Sequence, residues 1–433
     1  MKLNSFSKNG LHGVISVPGD KSISHRGLIL GALSSGTTQL HHFLAADDCL
    51  STLNALKDLG VPITRKNDFV TIEGQGLTGL KRPTKSLDMG NAGTATRLLA
   101  GLLAGQSFTS TLIGDSSLSK RPMGRVQTPL QEMGAKIELT DGHLPMTITG
   151  QKLHSIDYQM TVASAQVKSA LIFAALQADE KSTIKEFLPT RDHTERLLNK
   201  FGASITTSDD GYTITVDPHP HLVGQDLTIP GDMSSAAFFI TAASIIPNSK
   251  ITILNVGINP TRTGLLNILE KMGGKVKITN RSQTDGEPTA DLEIESAQLK
   301  PIKITSKDIP DVIDELPLVA LLAAAANGVS EVTGALELRV KETDRISTIV
   351  TELQKLGIKI TELTDGFIID GRDEWQIKNS KLDSHGDHRI GMMLAIAALR
   401  IKEPLALENE DAISISYPQF FEDLKEIEDA DSN

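Results

Sequence analysis

The chain has 433 residues, 39% hydrophobic and 22% charged, an ordinary globular composition with room for two to three domains of about 150 residues. Its 43 Lys and Arg against 54 Asp and Glu leave a net charge of −11, which argues against a sequence-independent nucleic-acid binder or an anionic-membrane binder, since both need a basic face. The single cysteine, Cys49, cannot close an internal disulfide. No apolar run reaches the ~18 residues of a membrane helix, and the first twenty residues carry no apolar leader core, so the expectation is a soluble cytoplasmic protein.

In chain order, the first signal is Val17-Pro18-Gly19-Asp20, a Pro-Gly turn. It leads into Lys21 and an apolar run of small residues, SISHRGLILGAL from Ser22, which predicts a buried helix. ALKDLGVPI around Gly60 then predicts an amphipathic helix, a left-handed glycine cap and a strand. The same two phrases return. NAGTATRLLAGLLAG from Asn91 is followed by PLQEMGAKIEL around Gly134, and SAQVKSALIFAAL from Ser164 by LLNKFGASIT around Gly202. A second Pro-Gly turn, Ile229-Pro230-Gly231-Asp232, repeats the first after 212 residues. Beyond it come SSAAFFITAASII from Ser234 with ILEKMGGKVKI around Gly273, and DELPLVALLAAAA from Asp314 with ELQKLGIKITEL around Gly357. DHRIGMMLAIAAL from Asp387 closes the series. The apolar helices start 69, 73, 70, 80 and 73 residues apart, and the glycines stand 74, 68, 71 and 84 apart. Regular spacing of this kind is the mark of a repeat architecture. It predicts six α/β units of about seventy residues in two similar domains.

The helix starts are chemically selective. They carry Lys21, Ser22 and Arg26; Asn91, Thr94 and Arg97; Ser164, Gln166 and Lys168; Asp314 and Glu315; Asp387 and Arg389. Further cations lie in the connections, at Lys120-Arg121, Arg125, Arg191, Lys341 and Arg345. A lone Ser, Asn or Asp there is an ordinary N-cap, and Asp314 with Glu315 would by themselves favour the helix dipole. Cations near a helix N-terminus oppose the dipole and need another reason. In an acidic chain, that reason is a small multi-anionic substrate whose phosphates and carboxylates meet helix N–H groups and arginine forks.

Other motifs fail on context. Gly74-Gln75-Gly76-Leu77-Thr78-Gly79 has the dinucleotide-binding spacing, but Leu80-Lys81-Arg82-Pro83 follows where a helix is needed. Gly19-Asp20-Lys21-Ser22 resembles the end of a P-loop with Asp20 at the obligatory glycine. The His41-His42 and His219/His221 pairs have no third ligand, so neither a metal nor any cofactor is expected.

Taken together, GDKS at 19–22, NAGTATR at 91–97, KRPM at 120–123, SAQVK at 164–168, RDHTE at 191–195, NPTR at 259–262, DELP at 314–317, KETDR at 341–345 and DHR at 387–389 resemble the 5-enolpyruvylshikimate-3-phosphate (EPSP) synthase family in its bacterial class II form. The resemblance runs from about Val17 to Phe421. It implies an α/β fold of two domains, each of three βαβαββ units, an inside-out α/β barrel arrangement that closes on substrate. The expected domains are residues 20–230, and residues 1–19 with 231–433. The implied partners are shikimate 3-phosphate and phosphoenolpyruvate, the implied state a monomer.

By the same resemblance, Lys21, Ser22, Arg26, Ser164, Ala165, Gln166, Arg191, Asp314 and Lys341 contact shikimate 3-phosphate. Lys21 and Gln166 are shared with the phosphoenolpyruvate site, which adds Asn91, Gly93, Thr94, Arg121, Arg345 and Arg389. Asp314 is the expected base for the 5-hydroxyl, and Glu342 and Lys21 are the candidates for delivering a proton to the enol methylene. Two positions depart from the class I pattern: Leu98 replaces a Pro, and Ile415 stands where that class has a phosphoenolpyruvate-binding Lys. Gly93 stands where some glyphosate-tolerant relatives carry Ala. The sibling UDP-N-acetylglucosamine enolpyruvyl transferases typically carry a reactive loop cysteine, and the corresponding stretch, Gly114 to Arg121, has none. A non-catalytic anion binder of the same fold would not need Asp314, Glu342 and Lys21 together.

Overall fold

The structure, a computed structural model, describes residues 1–3, 7 and 9–429. In chain order the first half contains β1 (His12–Ser16), α1 (Lys21–Leu33), β2 (Thr37–His41), α2 (Asp47–Asp58), β3 (Ile63–Lys66), β4 (Phe69–Glu73), β5 (Leu87–Asp88), α3 (Gly93–Ala104), β6 (Thr109–Ile113), α4 (Gly124–Glu132), β7 (Lys136–Thr140), β8 (His143–Thr149), β9 (Asp157–Gln159), α5 (Ala165–Ala175), β10 (Ser182–Lys185), α6 (His193–Lys200), β11 (Ile205–Thr207), β12 (Thr213–Val216) and β13 (Asp226–Thr228). The second half contains α7 (Met233–Ile245), β14 (Lys250–Gly257), α8 (Gly264–Lys271), β15 (Lys275–Thr284), β16 (Glu287–Glu295), β17 (Lys303–Ile304), α9 (Leu316–Ala324), β18 (Val329–Val332), α10 (Arg345–Lys355), β19 (Lys359–Leu363), β20 (Gly366–Asp370), β21 (Lys381–Asp383), α11 (His388–Ala398), β22 (Ala406–Glu408) and α12 (Phe420–Asp429).

The chain divides into two compact units. One is residues 19–229 with 284–287; the other is residues 1–18, 230–283 and 288–433. They are called here the first and second unit.

The first unit has three four-stranded sheets with one common order: β13-β2-β4-β3, β5-β6-β8-β7 and β9-β10-β12-β11. In each, the first two strands are parallel and the last two form an antiparallel hairpin; an apolar helix connects the parallel pair directly in the second and third sheets, α3 between β5 and β6 and α5 between β9 and β10. The apolar helices α1, α3 and α5 are buried on nearly every side, which is why they carry no polar face. Their small residues serve close packing. A Cβ on Gly101 of α3 would lie 1.9 Å from the Ala170 carbonyl oxygen of α5, so only glycine lets these two backbones touch.

The second unit repeats the pattern in β1-β14-β16-β15 and β17-β18-β20-β19. Its third repeat is cut short to a two-stranded sheet, β21-β22, with Lys381 opposite Ala406. Among the described residues no hairpin and amphipathic helix follow there, and α12 comes instead. Phe420 of α12 and Tyr417 pack edge-on against Phe238 and Phe239 of α7, an aromatic cluster in a chain that is only 4% aromatic. The sequence carries the same asymmetry, six apolar helix phrases against five glycine phrases. All five glycines do adopt the left-handed conformation, at φ +86° (Gly60), +96° (Gly134), +101° (Gly202), +81° (Gly273) and +83° (Gly357).

One feature of the topology has no local sequence signal. The edge strand of each unit's leading sheet comes from the far side of a Pro-Gly turn. β1, although it precedes α1, pairs in parallel with β14, His12 opposite Lys250; β13, although it precedes α7, pairs in parallel with β2, Asp226 opposite Gln39. The two turns therefore exchange strands between the units. Gly19 is required at the first of them, because a Cβ there would sit 1.9 Å from the His42 carbonyl oxygen.

Candidate active site

In the first unit the predicted residues gather at the N-termini of α1, α3 and α5. Asp20 caps α1 by accepting the Ile23 amide at 2.9 Å, which leaves Lys21 and Ser22 on the first turn. The Lys21 ammonium donates to Asp48 Oδ2 on α2 at 2.9 Å. Arg26, one turn further in, is buried: its Nε donates to Thr194 Oγ1 at 2.6 Å, Nη2 to Ser169 Oγ at 2.8 Å and Nη1 to the Ser22 carbonyl at 3.0 Å. It ties α1 to α5 and α6.

Gly93 opens α3. Asn91 just before it donates to Asp115 Oδ2 at 2.8 Å and accepts from Arg121 Nη2 at 2.5 Å. A Cβ on Gly93 would meet both Arg121 Nη1 and Arg97 Nη1 at 3.0 Å, so this glycine leaves room for two guanidinium groups. Thr94 follows on the same turn, half-buried. Ser164 caps α5, its Oγ accepting the Val167 amide at 3.4 Å and donating to Gln166 Oε1 at 3.3 Å, with Ala165 between them. Arg191 is half-buried in the connection ahead of α6. Lys168, grouped with these cations in the sequence, is instead sealed inside the unit by Glu186 and Glu195.

In the second unit the predicted residues gather at the starts of α9, α10 and α11. Asp314 is faced by three cations: Lys341 Nζ at 3.8 Å, Arg345 Nη1 at 3.9 Å and Arg389 Nη2 at 3.7 Å. These are ion-pair distances, too long for hydrogen bonds. Arg389 Nη1 donates to the Asp314 backbone carbonyl at 3.1 Å and lies 3.6 Å from Glu315 Oε1.

Arg345 is 1% exposed, which the sequence does not foretell. It makes a bidentate pair with Asp387, Nε to Oδ2 at 2.7 Å and Nη2 to Oδ1 at 3.1 Å, and its Nη2 lies 2.6 Å from Glu342 Oε2. Burial alone would lower its pKa, but Asp387, Glu342 and Asp314 outweigh burial and raise it above the ordinary arginine value. Behind this group, Arg262 of the NPTR motif donates to Asp232 Oδ1 at 3.0 Å and to Ser234 Oγ at 2.8 Å, and Ser234 Oγ donates to Glu315.

Three of the predicted cations are thus met by carboxylates that sequence reasoning did not pair with them: Asp48 for Lys21, Glu315 for Arg389, and Asp387, seen only as a helix start, for Arg345. The available signal was the acidic pair or acid at the next helix start, Asp47-Asp48, Glu315 and Asp387.

The arrangement can hold anions at several helix N-termini and can move protons at an acid-rich cluster, the equipment of a group transferase acting on anionic substrates. The solved structure of the enolpyruvyl transferase NikO from Streptomyces tendae has the same fold at 17% identity, with a TM-score of 0.79 over 98% of this chain and 97% of that one. EPSP synthase from Acinetobacter baumannii matches with a TM-score of 0.86 at 42% identity, covering 98% of this chain and 97% of that one. The fold is therefore that of the enolpyruvyl transferases. Residues 7–424 match the family model for EPSP synthase (3-phosphoshikimate 1-carboxyvinyltransferase). The 3-phosphoshikimate 1-carboxyvinyltransferase of Lactiplantibacillus plantarum is 66% identical over 98% of each chain, and that of Limosilactobacillus fermentum 54% over 98% of each. The chain belongs to the EPSP synthase family, and it transfers the enolpyruvyl group of phosphoenolpyruvate to shikimate 3-phosphate in the shikimate pathway. No helix among the described residues is long and apolar enough to cross a membrane.

Proposed function

We propose a division of roles for this reaction. Shikimate 3-phosphate is held by Lys21, Ser22, Ser164, Ala165, Gln166 and Arg191, with Arg26 beneath them and Asp314 and Lys341 completing the set. Phosphoenolpyruvate is held by Asn91, Gly93, Thr94 and Arg121, by Arg345 and Arg389, and by Lys21 and Gln166, which serve both substrates. Asp314 takes the proton of the 5-hydroxyl as its oxygen attacks C2 of phosphoenolpyruvate; Glu342 or Lys21 delivers a proton to C3. The tetrahedral adduct then loses a proton from the new methyl group and expels phosphate, which restores the double bond.

The observation that carries this reading is Asp314 among Lys341, Arg345 and Arg389 at 3.7–3.9 Å, with Glu342 on the same arginine. A carboxylate held at that range by three cations remains able to accept a hydrogen bond from a substrate hydroxyl. The cations in turn orient and stabilise the charge that develops on the carboxylate and phosphate. A monomer in the cytoplasm completes the proposal.

Phosphate release by the purified protein, with phosphoenolpyruvate and with or without shikimate 3-phosphate, tests it together with Asp314→Ala. The wild type releases phosphate only with both substrates. Asp314→Ala loses about a thousandfold in turnover, the middle of the range one acid–base group contributes, yet still binds shikimate 3-phosphate. Unchanged turnover removes Asp314 from the mechanism.

A further inference from the structure

Lys168 reads in the sequence as one more ligand-binding cation at a helix start, but its side chain is 1% exposed and points into the first unit. Its ammonium meets Glu195 Oε1 at 2.7 Å, Glu186 Oε2 at 3.1 Å and the backbone carbonyl of Thr190 at 3.2 Å. An ammonium has three protons to donate, and these acceptors lie at three places: after β10, in the β10–α6 connection and in the first turn of α6. Thr190 Oγ1 also donates to Glu186 Oε1, which closes the cluster.

Two neighbours give this cluster a consequence. The residue after Thr190 is Arg191. The residues beside Lys168 and Glu195, namely Ser169 on α5 and Thr194 on α6, hydrogen-bond each other at 2.7 Å, and both accept from Arg26. The pairs 168/169 and 194/195 thus join the same two helices twice, once through Lys168 and once through Arg26. Burial alone would lower the Lys168 pKa, but Glu195 and Glu186 outweigh it and hold the group charged; burial also pushes the Glu186 carboxyl up. A buried ion pair is a poor source of stability, since apolar residues of the same volume often do as well. What such a cluster supplies is a defined geometry.

From this geometry we infer that Lys168, with Glu186, Glu195 and Thr190, is a positioning device for the shikimate 3-phosphate site, setting the backbone that carries Arg191 and the α5–α6 spacing at which Arg26 is gripped. The inference rests on the assignment of Arg191 to that substrate.

Steady-state kinetics of the full chain, with each substrate varied in turn, test it. Lys168→Met raises the KM for shikimate 3-phosphate by about tenfold or more, with kcat and the KM for phosphoenolpyruvate within about threefold of wild type. Thr190→Val, which removes only the hydroxyl bond to Glu186, raises the same KM by about threefold. A lysine that merely stabilises the fold would lower the melting temperature and the active fraction and leave both KM values unchanged. That result, or an equal rise in both KM values, overturns the inference. Should Lys168→Met not fold, Thr190→Val decides: an unchanged shikimate 3-phosphate KM in that variant overturns it. Arg191→Ala separates the two levels. If it leaves the shikimate 3-phosphate KM unchanged, the assignment of Arg191 fails and the inference with it; if it raises that KM while Lys168→Met and Thr190→Val do not, only the positioning device fails.

Discussion

The two units carry similar helix ends and treat a buried arginine there in opposite ways. In the first unit, Arg26 is gripped by two hydroxyls and a carbonyl, at 2.6–3.0 Å. In the second, Arg345 is gripped by the carboxylates of Asp387 and Glu342, with Asp314 at 3.9 Å. The difference is one of charge. Around Arg26, the hydrogen bonds at these distances go to neutral acceptors. Around Arg345, the guanidinium charge is spent on holding carboxylates in place, and carboxylates are what proton transfer requires. One repeat pattern thus yields a buried arginine held by hydroxyls in one unit and by carboxylates in the other.

The contrast breaks most readily at Asp387. Asp387→Ala removes the bidentate partner of a fully buried arginine and the N-cap of α11. The expected cost is about 3–5 kcal/mol of stability, as for other broken buried pairs, read by urea denaturation. Alongside it, kcat/KM for phosphoenolpyruvate falls at least about a hundredfold. A variant with wild-type denaturation midpoint and kinetics would show that Arg345 does not depend on its carboxylates.

A smaller effect sharpens the view of the first unit. His25 is wholly buried beside Lys21 and Arg26, its Nδ1 2.8 Å from Thr52 Oγ1. Burial, reinforced by Lys21 and Arg26, pushes its pKa from 6.5 down to about 3. Between those values the unfolded chain binds a proton that the folded protein refuses, so stability falls as pH drops below about 6.5. At pH 5 the loss from this group is about 2 kcal/mol. His25→Gln, which cannot titrate, has a flatter profile of melting temperature against pH from 7 to 5; a parallel profile would mean that His25 is protonated in the folded state.

The smallest expected change is at Gly93. The Cβ of Gly93→Ala presses on Arg121 and Arg97 at 3.0 Å, and both side chains can shift by tenths of an ångström. The KM for phosphoenolpyruvate rises about three- to tenfold, equivalent to roughly 1 kcal/mol, while that for shikimate 3-phosphate stays within twofold. Equal changes in both would place Gly93 outside the phosphoenolpyruvate contacts.

How much of this was legible beforehand follows from the range of each interaction. The six apolar helices, their starts within two residues, and the five glycine caps are written locally. Burial on all sides demands an apolar run such as 234–246, and a left-handed cap demands glycine at positions such as 202. The placement of Lys21, Asn91, Ser164, Asp314 and Arg389 at helix starts was legible for the same reason. The state of each cation was not. Lys168 and Arg389 look alike in sequence, yet Lys168 is sealed by Glu186 and Glu195, and Arg389 keeps company with Asp314. The partners come from other segments, and no local pattern states which segments meet.

By itself, then, the sequence determined the repeat, the six apolar helices, the five glycine-capped phrases, the helix ends that gather charge and the family to which the chain belongs. The tertiary structure alone decided that β1 joins β14 and β13 joins β2, strands that lie far apart in the chain, and that Arg26 meets hydroxyls where Arg345 meets carboxylates. Local preferences depend on a residue and its near neighbours, and short patterns record them. Strand partners and buried counter-ions depend on which distant surfaces exclude water together, and only the folded chain brings those surfaces into contact.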